Sequence, residues 1–326
     1  MLSEKNSNTK YTEKMPVFRI SGIKYFSVDK VFDCGQGFRF NKVQNSVHEV
    51  EYSGIAFGRF VSFAQDGDEL YIYNSTEEEF ESIWKHYLAL DSDYAFIEND
   101  ILSKSNSVAL YQAIEYSRGI RILNQENWEA ICSFIISQNN NIPRIKKIIE
   151  NLSAKCGAPI AIPEEAWDHV CGESSNCAFP TPEKILELGI DGLAELKTGF
   201  RAKYIYDAAD RAVNGELDYD IIYALSTQEA INYLCRVKGI GPKVASCALL
   251  FGFEKYDAFP VDVWIKRVIS KYFVSDDSPG FDPSCLGEYA GIAQQFLFYY
   301  YLYMCLSSFP AQEYPSFQKS YTQYAR

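Results

Sequence analysis

A Gly-Ile-Gly-Pro turn between two helical stretches is the feature that most restricts how this chain can fold. The stretch VKGIGPKVASCALL covers residues 237–250 and follows the segment STQEAINYLCR. Glycine permits the positive φ angles that tight turns need, and proline suits the first turn of a helix. The pattern therefore predicts two helices joined by a short hairpin, with Lys243 just inside the second helix.

The residues around this turn are more basic than the chain as a whole. Residues 230–253 contain no Asp or Glu but include Arg236, Lys238 and Lys243, whereas the 326-residue chain has a net charge of −12. The overall charge argues mildly against a nucleic-acid partner, but it does not locate a binding face. Successive N–H groups of such a turn, next to a helix N-terminus, can bind a phosphate. The turn is therefore a candidate phosphate site.

Lys243 and Asp262 each have a structural and a chemical interpretation. Most lysines at helix ends are solvated surface groups, and an Asp before an apolar helix is commonly an N-cap. The positive end of a helix and partial burial, however, both favour the neutral amine, which is a nucleophile able to form a Schiff base. Asp262 follows Pro260 and can cap its helix while also stabilising positive charge that develops nearby.

Composition places the chain among ordinary globular proteins. It is 47% hydrophobic and 23% charged, and its length suffices for two domains. The nine cysteines are scattered without a C-x-x-C pair, so a zinc or iron–sulfur site is not expected and a reducing compartment is favoured. Residues 1–14 are polar, which predicts a disordered tail rather than a signal peptide. The apolar run 296–306 is too short for a membrane span and predicts a buried helix.

The hydrophobic pattern changes along the chain from alternating to helical. The stretch GIAFGRFVSFAQDGDELYIYN is interpreted as alternating, with Ile55, Phe57, Val61 and Phe63 on one face, and Asp66-Gly67 predicts a hairpin. A helix capped by Ser75 or Thr76 follows. After residue 106 the apolar spacing is three and four. We therefore predict an α+β fold: an N-terminal domain at residues 15–105 with an antiparallel sheet, and a larger all-α domain at residues 106–326.

Several motifs together carry a resemblance to a known family. GIGPK at residues 239–243 and PVD at residues 260–262 resemble the helix-hairpin-helix-GPD superfamily of DNA glycosylases. Within it, the chain resembles the 8-oxoguanine DNA glycosylase/AP-lyase family. Four further stretches carry that resemblance in order: DCGQGFRF at 33–40, SFIISQNNNIPRI at 133–145, GFRAKYI at 199–205 and EYAGIAQQFLF at 288–298. The resemblance implies base excision repair of duplex DNA that contains oxidised guanine.

The resemblance also implies a role for each matching residue. Lys243 would attack C1′ of the damaged nucleotide and Asp262 would stabilise the resulting positive charge, before β-elimination. The remaining residues fall into three groups. The base pocket would be formed by Gly35, Cys247, Gln294 and Phe298; the wedge and the contacts to the opposite base by Phe200, Asn139, Arg144 and Arg201; and the DNA phosphate contacts by Lys238, Gly239, Gly241 and Trp264. Without the motif context, ordinary core packing would be the preferred interpretation of Phe298 and Cys247.

One position departs from the family. Trp264 stands two residues after Asp262, where the eukaryotic members carry histidine. An indole has one hydrogen-bond donor and no acceptor, so the way in which the phosphate is anchored is open.

Two alternatives remain at this stage, a monofunctional alkylpurine glycosylase and a non-catalytic helix-hairpin-helix module that only binds DNA. The residue pattern further predicts activity without a cofactor, with a possible monovalent cation at the hairpin. It also predicts a monomer with no membrane association. In the absence of a nuclear-type basic run, we expect a prokaryotic, cytoplasmic location at the nucleoid.

Overall fold

The computed structural model describes residues 15–171, 176–273 and 281–308. Side-chain detail ends at residue 303. The tail predicted at residues 1–14 lies outside the described residues. The N-terminal part contains an antiparallel sheet and the remainder is mostly helical, which confirms the predicted α+β class.

The sheet has five strands in the order β1-β5-β4-β3-β2. Its strands are β1 Val17–Ile20, β2 Phe40–Lys42, β3 Val50–Ala56, β4 Arg59–Asp66 and β5 Glu69–Tyr73. Each neighbouring pair is antiparallel, and Asp66 lies opposite Glu69 across a two-residue turn. Gly67 in this turn has a φ of 56°, so the predicted hairpin is confirmed.

The predicted face of the sheet is wrong for Ile55, because a second turn interrupts the alternation. Phe57 and Gly58 have φ angles of 51° and 65° and join β3 to β4 as a tight hairpin. Such a turn changes which sequence positions share a face. Ile55 consequently packs with Phe60 on one side of the sheet, whereas Val61 belongs to the core on the other side.

Helices form most of the rest of the described chain. In chain order they are α1 Val28–Asp33, α2 Glu77–Glu79, α3 Lys85–Tyr87, α4 Tyr94–Ser103, α5 Val108–Ser117, α6 Asn127–Ser137, α7 Ile142–Cys156, α8 Pro182–Glu195, α9 Ala202–Val213, α10 Tyr219–Ala224, α11 Thr227–Leu234, α12 Pro242–Gly252, α13 Val263–Tyr272 and α14 Ala290–Ser308. A π turn at Phe80–Trp84 joins α2 to α3, and 3-10 turns occur at Glu164–His169, Gly199–Arg201 and Pro283–Tyr289. Thr76 caps α2 through a capping box with Glu79, as one of the two predicted caps.

The helical core surrounds α12 and α14. Residues 244–252 of α12 are all buried, and α14 packs against α5 and α13. Phe296, Leu297 and Leu302 of α14 are at most 2% exposed, as predicted for a buried helix. Within the described residues, no helix is long and apolar enough to cross a membrane.

The two parts of the chain pack closely against each other. A separate cluster that includes Phe32, Phe63 and Trp84 lies between the sheet and its covering helices. Tyr94 and Ile97, which precede the predicted domain boundary at residue 105, belong to the helical core instead. The boundary itself stays a prediction.

Candidate active site

The hairpin between α11 and α12 uses its two glycines for different reasons. Gly239 has a φ of 83°, and a Cβ there would lie 2.3 Å from ring atoms of Tyr204, so only glycine fits. Gly241 is the N-cap of α12 with an extended φ of −100°, and a Cβ there would meet open space. The predicted need for positive φ therefore holds for Gly239 alone. The bare backbone at Gly241 leaves room for a ligand to approach the start of α12.

An acidic residue from another helix reaches this hairpin. Asp207 of α9 accepts a hydrogen bond from the Lys238 backbone N–H at 2.8 Å, and Lys238 Nζ lies 3.6 Å from its other carboxylate oxygen. The sequence window around the turn contained no acid, because this contact comes from 31 residues away. Arg211 also donates to Asp207, so this carboxylate is held in place while it bonds to the backbone of the turn. Lys238 itself remains exposed.

Lys243 is the second residue of α12 and is half-buried. One turn further along the helix lies Cys247, which is buried beneath it. Burial raises the pKa of the Cys247 thiol, and the positive charge of the neighbouring Lys243 acts in the opposite direction. The Cys247 thiol is therefore uncharged beside Lys243. Lys243 itself lies in the first turn of an otherwise apolar helix, at its solvent-accessible end.

Asp262 has both features that its sequence context allowed: it caps a helix, and its carboxylate lies at the cleft. Its Oδ1 accepts a hydrogen bond from Ile265 N at 2.8 Å, which makes it the N-cap of α13. It also lines the same cleft as Lys243. The cap holds the carboxylate in one orientation at the edge of that cleft.

The cleft that contains these two residues has a volume of about 1050 Å³. It is large enough to hold a nucleotide-sized group. Nine of the fourteen predicted site residues line it: Gly35, Asn139, Arg144, Phe200, Gly241, Lys243, Asp262, Trp264 and Phe298. Five do not: Cys247 and Gln294 are buried, Lys238 and Gly239 lie in the hairpin, and Arg201 is buried beside Phe200.

Gly35 and Phe298 form the deep wall of the cleft. Gly35 has a φ of 79°, and a Cβ there would lie 3.3 Å from Ile142 Cδ1 and 3.9 Å from Phe298 Cε1. Any side chain at Gly35 would therefore be strained in its backbone and crowded by its neighbours. Gln294 lies one turn before Phe298 on α14 and is 5% exposed. The geometry brings a glycine backbone and an aromatic ring to the same place.

The predicted polar break between α6 and α7 is confirmed as a structured loop. Asn139 has a positive φ of 46°, and the Asn140 side chain donates to Ile136 O at 3.0 Å. Asn141 caps α7 by accepting from Arg144 N at 3.0 Å. The cap leaves the Arg144 side chain exposed at the cleft.

Arg201 contacts the protein backbone rather than the cleft. It is 2% exposed, and its guanidinium donates to the carbonyls of Thr198, Gln138 and Asn139. Burial first, and then the neighbouring Arg144, lower the pKa of Arg201. In this structure its donors hold the 138–139 loop, which differs from the expectation that both arginines face the cleft. Sequence could not reveal this, because the contact joins residues about sixty positions apart.

Phe200 stands beside this brace and is 48% exposed. The Arg201 Cζ lies 4.4 Å from the centroid of its ring. The ring therefore projects at the cleft edge from a firmly held turn.

Arg267 is a cleft residue that sequence reasoning missed. Its Cζ lies 4.9 Å from the centroid of the Trp264 ring, and both side chains line the cleft. The two are three residues apart on α13, a spacing that puts them on one helix face. A basic residue three positions after an aromatic in an amphipathic helix was the available signal.

The chain matches known protein families over most of its length. Residues 19–131 match the family model of the 8-oxoguanine DNA glycosylase N-terminal domain, and residues 132–282 match that of the HhH-GPD superfamily base excision DNA repair protein. The chain is 27% identical over 303 residues to N-glycosylase/DNA lyase OGG1 of Arabidopsis thaliana, covering 86% of this chain and 77% of the plant protein.

Solved structures give closer matches. MBOgg1 in complex with a low-affinity DNA ligand is 36% identical with a TM-score of 0.77, over 90% of this chain and 99% of that one. The Clostridium acetobutylicum 8-oxoguanine glycosylase/lyase, in complex with DNA containing cytosine opposite 8-oxoG, is also 36% identical, with a TM-score of 0.76 over 89% and 97%. The chain thus belongs to the 8-oxoguanine DNA glycosylase family of the helix-hairpin-helix-GPD superfamily.

Proposed function

We propose that this protein is a bifunctional DNA glycosylase and AP lyase that removes 8-oxoguanine from duplex DNA in base excision repair. The observation that carries the proposal is the shared cleft, which is lined by Lys243 and Asp262 together with Gly35 and Phe298. Family membership supplies the reaction class. A nucleophile alone would not indicate which substrate is bound. A nucleophile in the same cleft as an aromatic ring and a glycine backbone suits a purine that has flipped out of the duplex.

In this proposal Lys243 is the nucleophile. Its Nζ forms a bond to C1′ of the damaged nucleotide while the glycosidic bond breaks, and the bonding electrons leave with the base. The sugar ring then opens: the C1′–O4′ bond breaks, O4′ takes up a proton released by the amine, and the nitrogen lone pair forms the imine. The imine allows loss of a C2′ proton and departure of the 3′ phosphate. Asp262, fixed by its capping hydrogen bond, stabilises the positive charge that develops at C1′.

DNA must bind in a distorted form for this chemistry. Lys243 cannot reach C1′ of a base stacked in a duplex, so the nucleotide has to flip out at a cost of a few kcal/mol. We propose that Phe200 fills the gap in the stack, and its half-exposed ring on the turn held by Arg201 supports this role. The open backbone at Gly241 and the start of α12 suit a phosphate. These contacts are local, which is compatible with a net charge of −12.

Recognition of the oxidised base rests on the deep wall. Phe298 lines the cleft and offers a ring for stacking. Cys247 and Gln294 are buried in this structure, so they would close the other side of the base and offer an amide to its Watson–Crick edge only once the pocket opens around the base. The Gly35 carbonyl would accept from the N7–H that 8-oxoguanine has and guanine lacks. Guanine presents an acceptor at N7, so the same carbonyl would repel it.

Opposite the lesion, Arg144 is the better candidate for contact with the partner base. Its side chain is exposed at the cleft, whereas the Arg201 guanidinium is engaged by three backbone carbonyls. Asn139 lies in the same loop and lines the cleft with Arg144. We infer that Arg144 donates to cytosine and that Arg201 fixes the loop from which Arg144 projects.

Borohydride trapping tests the proposal against its two alternatives. Reduction of the imine on an 8-oxoguanine duplex should link the wild-type protein to DNA, and Lys243→Gln should not become linked. Lys238→Gln is a matched control in the same hairpin: this exposed lysine is a proposed phosphate contact, so its loss should weaken DNA binding while trapping persists at saturating protein. A monofunctional glycosylase would release base without trapping, and a binding module would do neither. Either result for the wild-type protein would overturn the proposal.

We further propose that turnover requires no cofactor, with a monovalent cation at the hairpin carbonyls as the one candidate ion. Across residues 15–171, 176–273 and 281–308, no group of three His, Cys, Asp or Glu side chains could hold a metal ion. Activity retained after EDTA treatment is the expected result. Loss of activity that zinc or iron restores would contradict it. A monomer in a prokaryotic cytoplasm, without membrane association, is the setting we propose.

A further inference from the structure

The loop that carries Gly35 is held by two glutamine side chains from distant parts of the chain. Gln295 Nε2 donates to Cys34 O at 2.9 Å, and Gln125 Nε2 donates to Gln36 O at 2.9 Å. Between these two carbonyls lies that of Gly35, to which no hydrogen bond is donated by the residues that the structure describes. The loop thus presents one carbonyl without a protein donor, between two that are fixed.

The bond from Gln295 bears directly on the backbone of Gly35. The Cys34 carbonyl and the Gly35 N–H belong to one planar peptide unit, so fixing the first orients the second. Gly35 has a φ of 79° and, as a glycine, could adopt many other angles. Gln295 therefore restrains Gly35, whose backbone would otherwise be flexible because it is a glycine.

Gln36 fixes the far end of the same loop. Its side-chain amide donates to Val31 O at 3.0 Å and to Arg121 O at 2.8 Å, and its Oε1 accepts from Leu123 N at 2.8 Å. These bonds hold the loop to the protein body but do not act on the peptide before Gly35. That peptide depends on Gln295.

Gln295 also links the Cys34 carbonyl to the helix that carries Phe298. It is 3% exposed and lies on α14, three residues before Phe298. One helix therefore supplies both the ring at the deep wall and the amide that orients the loop beside that ring. The distance between ring and loop is set by a rigid element, which is what selective binding of a flat base requires.

We propose that Gln295 is a positioning residue for lesion recognition, which sets the direction of the Gly35 carbonyl and through it the preference for oxidised guanine over guanine. The inference rests on the proposed function. Discrimination depends on a carbonyl that meets a donor at N7 of one base and an acceptor at N7 of the other. A carbonyl turned away would lose the attraction to the first and the repulsion of the second.

The test compares base excision with cleavage of a preformed abasic site. Gln295→Met keeps the length of the side chain and removes the donor. We expect kcat/KM for 8-oxoguanine excision to fall about tenfold, while nicking of an abasic duplex stays within about twofold, because the abasic site has no base to recognise. The selectivity for 8-oxoguanine over guanine should fall with the excision rate.

Gln65→Met is the matched control. Gln65 is likewise a buried glutamine, 8% exposed; it donates to Phe26 O at 3.2 Å and Gly67 O at 2.9 Å, and its Oε1 accepts from Val28 N at 2.8 Å, so it bonds to the start of α1 and to a strand turn but not to the Gly35 loop. Its loss should lower stability without changing the ratio of the two activities. Equal loss of both activities in Gln295→Met, or an unchanged ratio, would overturn the inference.

A second variant keeps the test decisive if Gln295→Met does not fold. Gln295→Glu retains the size of the side chain, and its carboxyl can donate to Cys34 O only when protonated. The ratio of excision to abasic nicking should therefore rise in this variant as the pH falls, relative to wild type. A ratio that stays parallel to wild type would contradict the role. Failure of the wild-type protein to excise 8-oxoguanine would instead overturn the proposed function itself.

Discussion

The two sides of the cleft are held by contacts of very different range. On the catalytic side, Lys243 and Asp262 stand at the starts of α12 and α13, and the Asp262 cap bonds only three residues ahead. On the recognition side, Gln295 reaches 261 residues back to Cys34, and Arg201 reaches about sixty residues back to Gln138. The catalytic groups are therefore placed mainly by local helix signals, with one tertiary support of the hairpin from Asp207, whereas the recognition loops depend mainly on hydrogen bonds between distant segments.

This difference predicts how each side responds to substitution. A catalytic side chain can be replaced without disturbing the backbone around it, because helix starts form from nearby residues. Replacing a residue that braces the recognition side removes buried hydrogen bonds, which costs about 1–3 kcal/mol for each group left unpaired. Catalytic variants should stay folded and bind DNA, whereas recognition variants should change selectivity and stability together.

The largest expected effect is that of Lys243→Gln. This change should abolish both base release and strand nicking, because Lys243 is the only lysine among the described residues that line the cleft. Binding to a lesion duplex should stay within a few-fold of wild type, since the hairpin glycines and Lys238 remain. Single-turnover release measured alongside duplex affinity checks both parts. Near wild-type release by the variant would disprove the covalent mechanism.

Asp262→Asn separates the chemical role of this residue from its structural one. Asparagine is as good an N-cap as aspartate, so α13 should keep its start and the melting temperature should change little. Loss of the charge should slow base release roughly a hundredfold, the scale for removing one preorganised electrostatic group. The comparison needs single-turnover rates and a thermal melt. An unchanged rate with an unchanged melt would reduce Asp262 to a helix cap.

The same contrast in range explains what sequence could predict. The hairpin, the Pro at the start of α12, the Asp262 cap and the Thr76 cap all followed from neighbouring residues. The face of Ile55 was wrong because the turn at Phe57-Gly58 lacked a strong signal and shifted the alternation.

Contacts between distant segments could not be predicted. The brace formed by Arg201 depends on how α9 packs beside the 138–139 loop, which no local pattern encodes. The bond from Gln295 to Cys34 likewise requires the folded structure. The family motifs located these residues, but they did not say which atoms each one contacts.

An effect of about tenfold is expected from the base opposite the lesion. Cytosine presents two acceptors, O2 and N3, to a guanidinium that carries only donors. Adenine presents a donor amino group there, and the mismatch would leave polar groups unpaired at about 1–3 kcal/mol. We therefore expect excision opposite cytosine to be at least about tenfold faster than opposite adenine.

Arg144→Ala should shrink that ratio more than it lowers nicking of an abasic site. Arg201→Lys is the informative comparison, because a lysine cannot reproduce the three backbone contacts of the buried guanidinium. It should lower thermal stability, which Arg144→Ala should not. Equal excision opposite all four bases by wild type would mean that Arg144 is a phosphate contact and that the cleft does not read the partner strand.

The smallest effect we predict is that of Arg267→Ala, on the boundary between the two sides. The Arg267 Cζ lies 4.9 Å from the centroid of the Trp264 ring. By the resemblance described above, Trp264 stands where a histidine is expected in eukaryotic members of the family. An indole cannot accept a proton or bind a phosphate strongly, but it can hold a guanidinium that does. Removing one phosphate contact should weaken duplex binding a few-fold and reduce the slope of log affinity against log salt by about one, with kcat unchanged. Lys266→Ala is the control, because this exposed neighbour on α13 does not line the cleft. If both variants lose affinity equally, the effect is one of overall charge, and Trp264 with Arg267 does not replace the histidine.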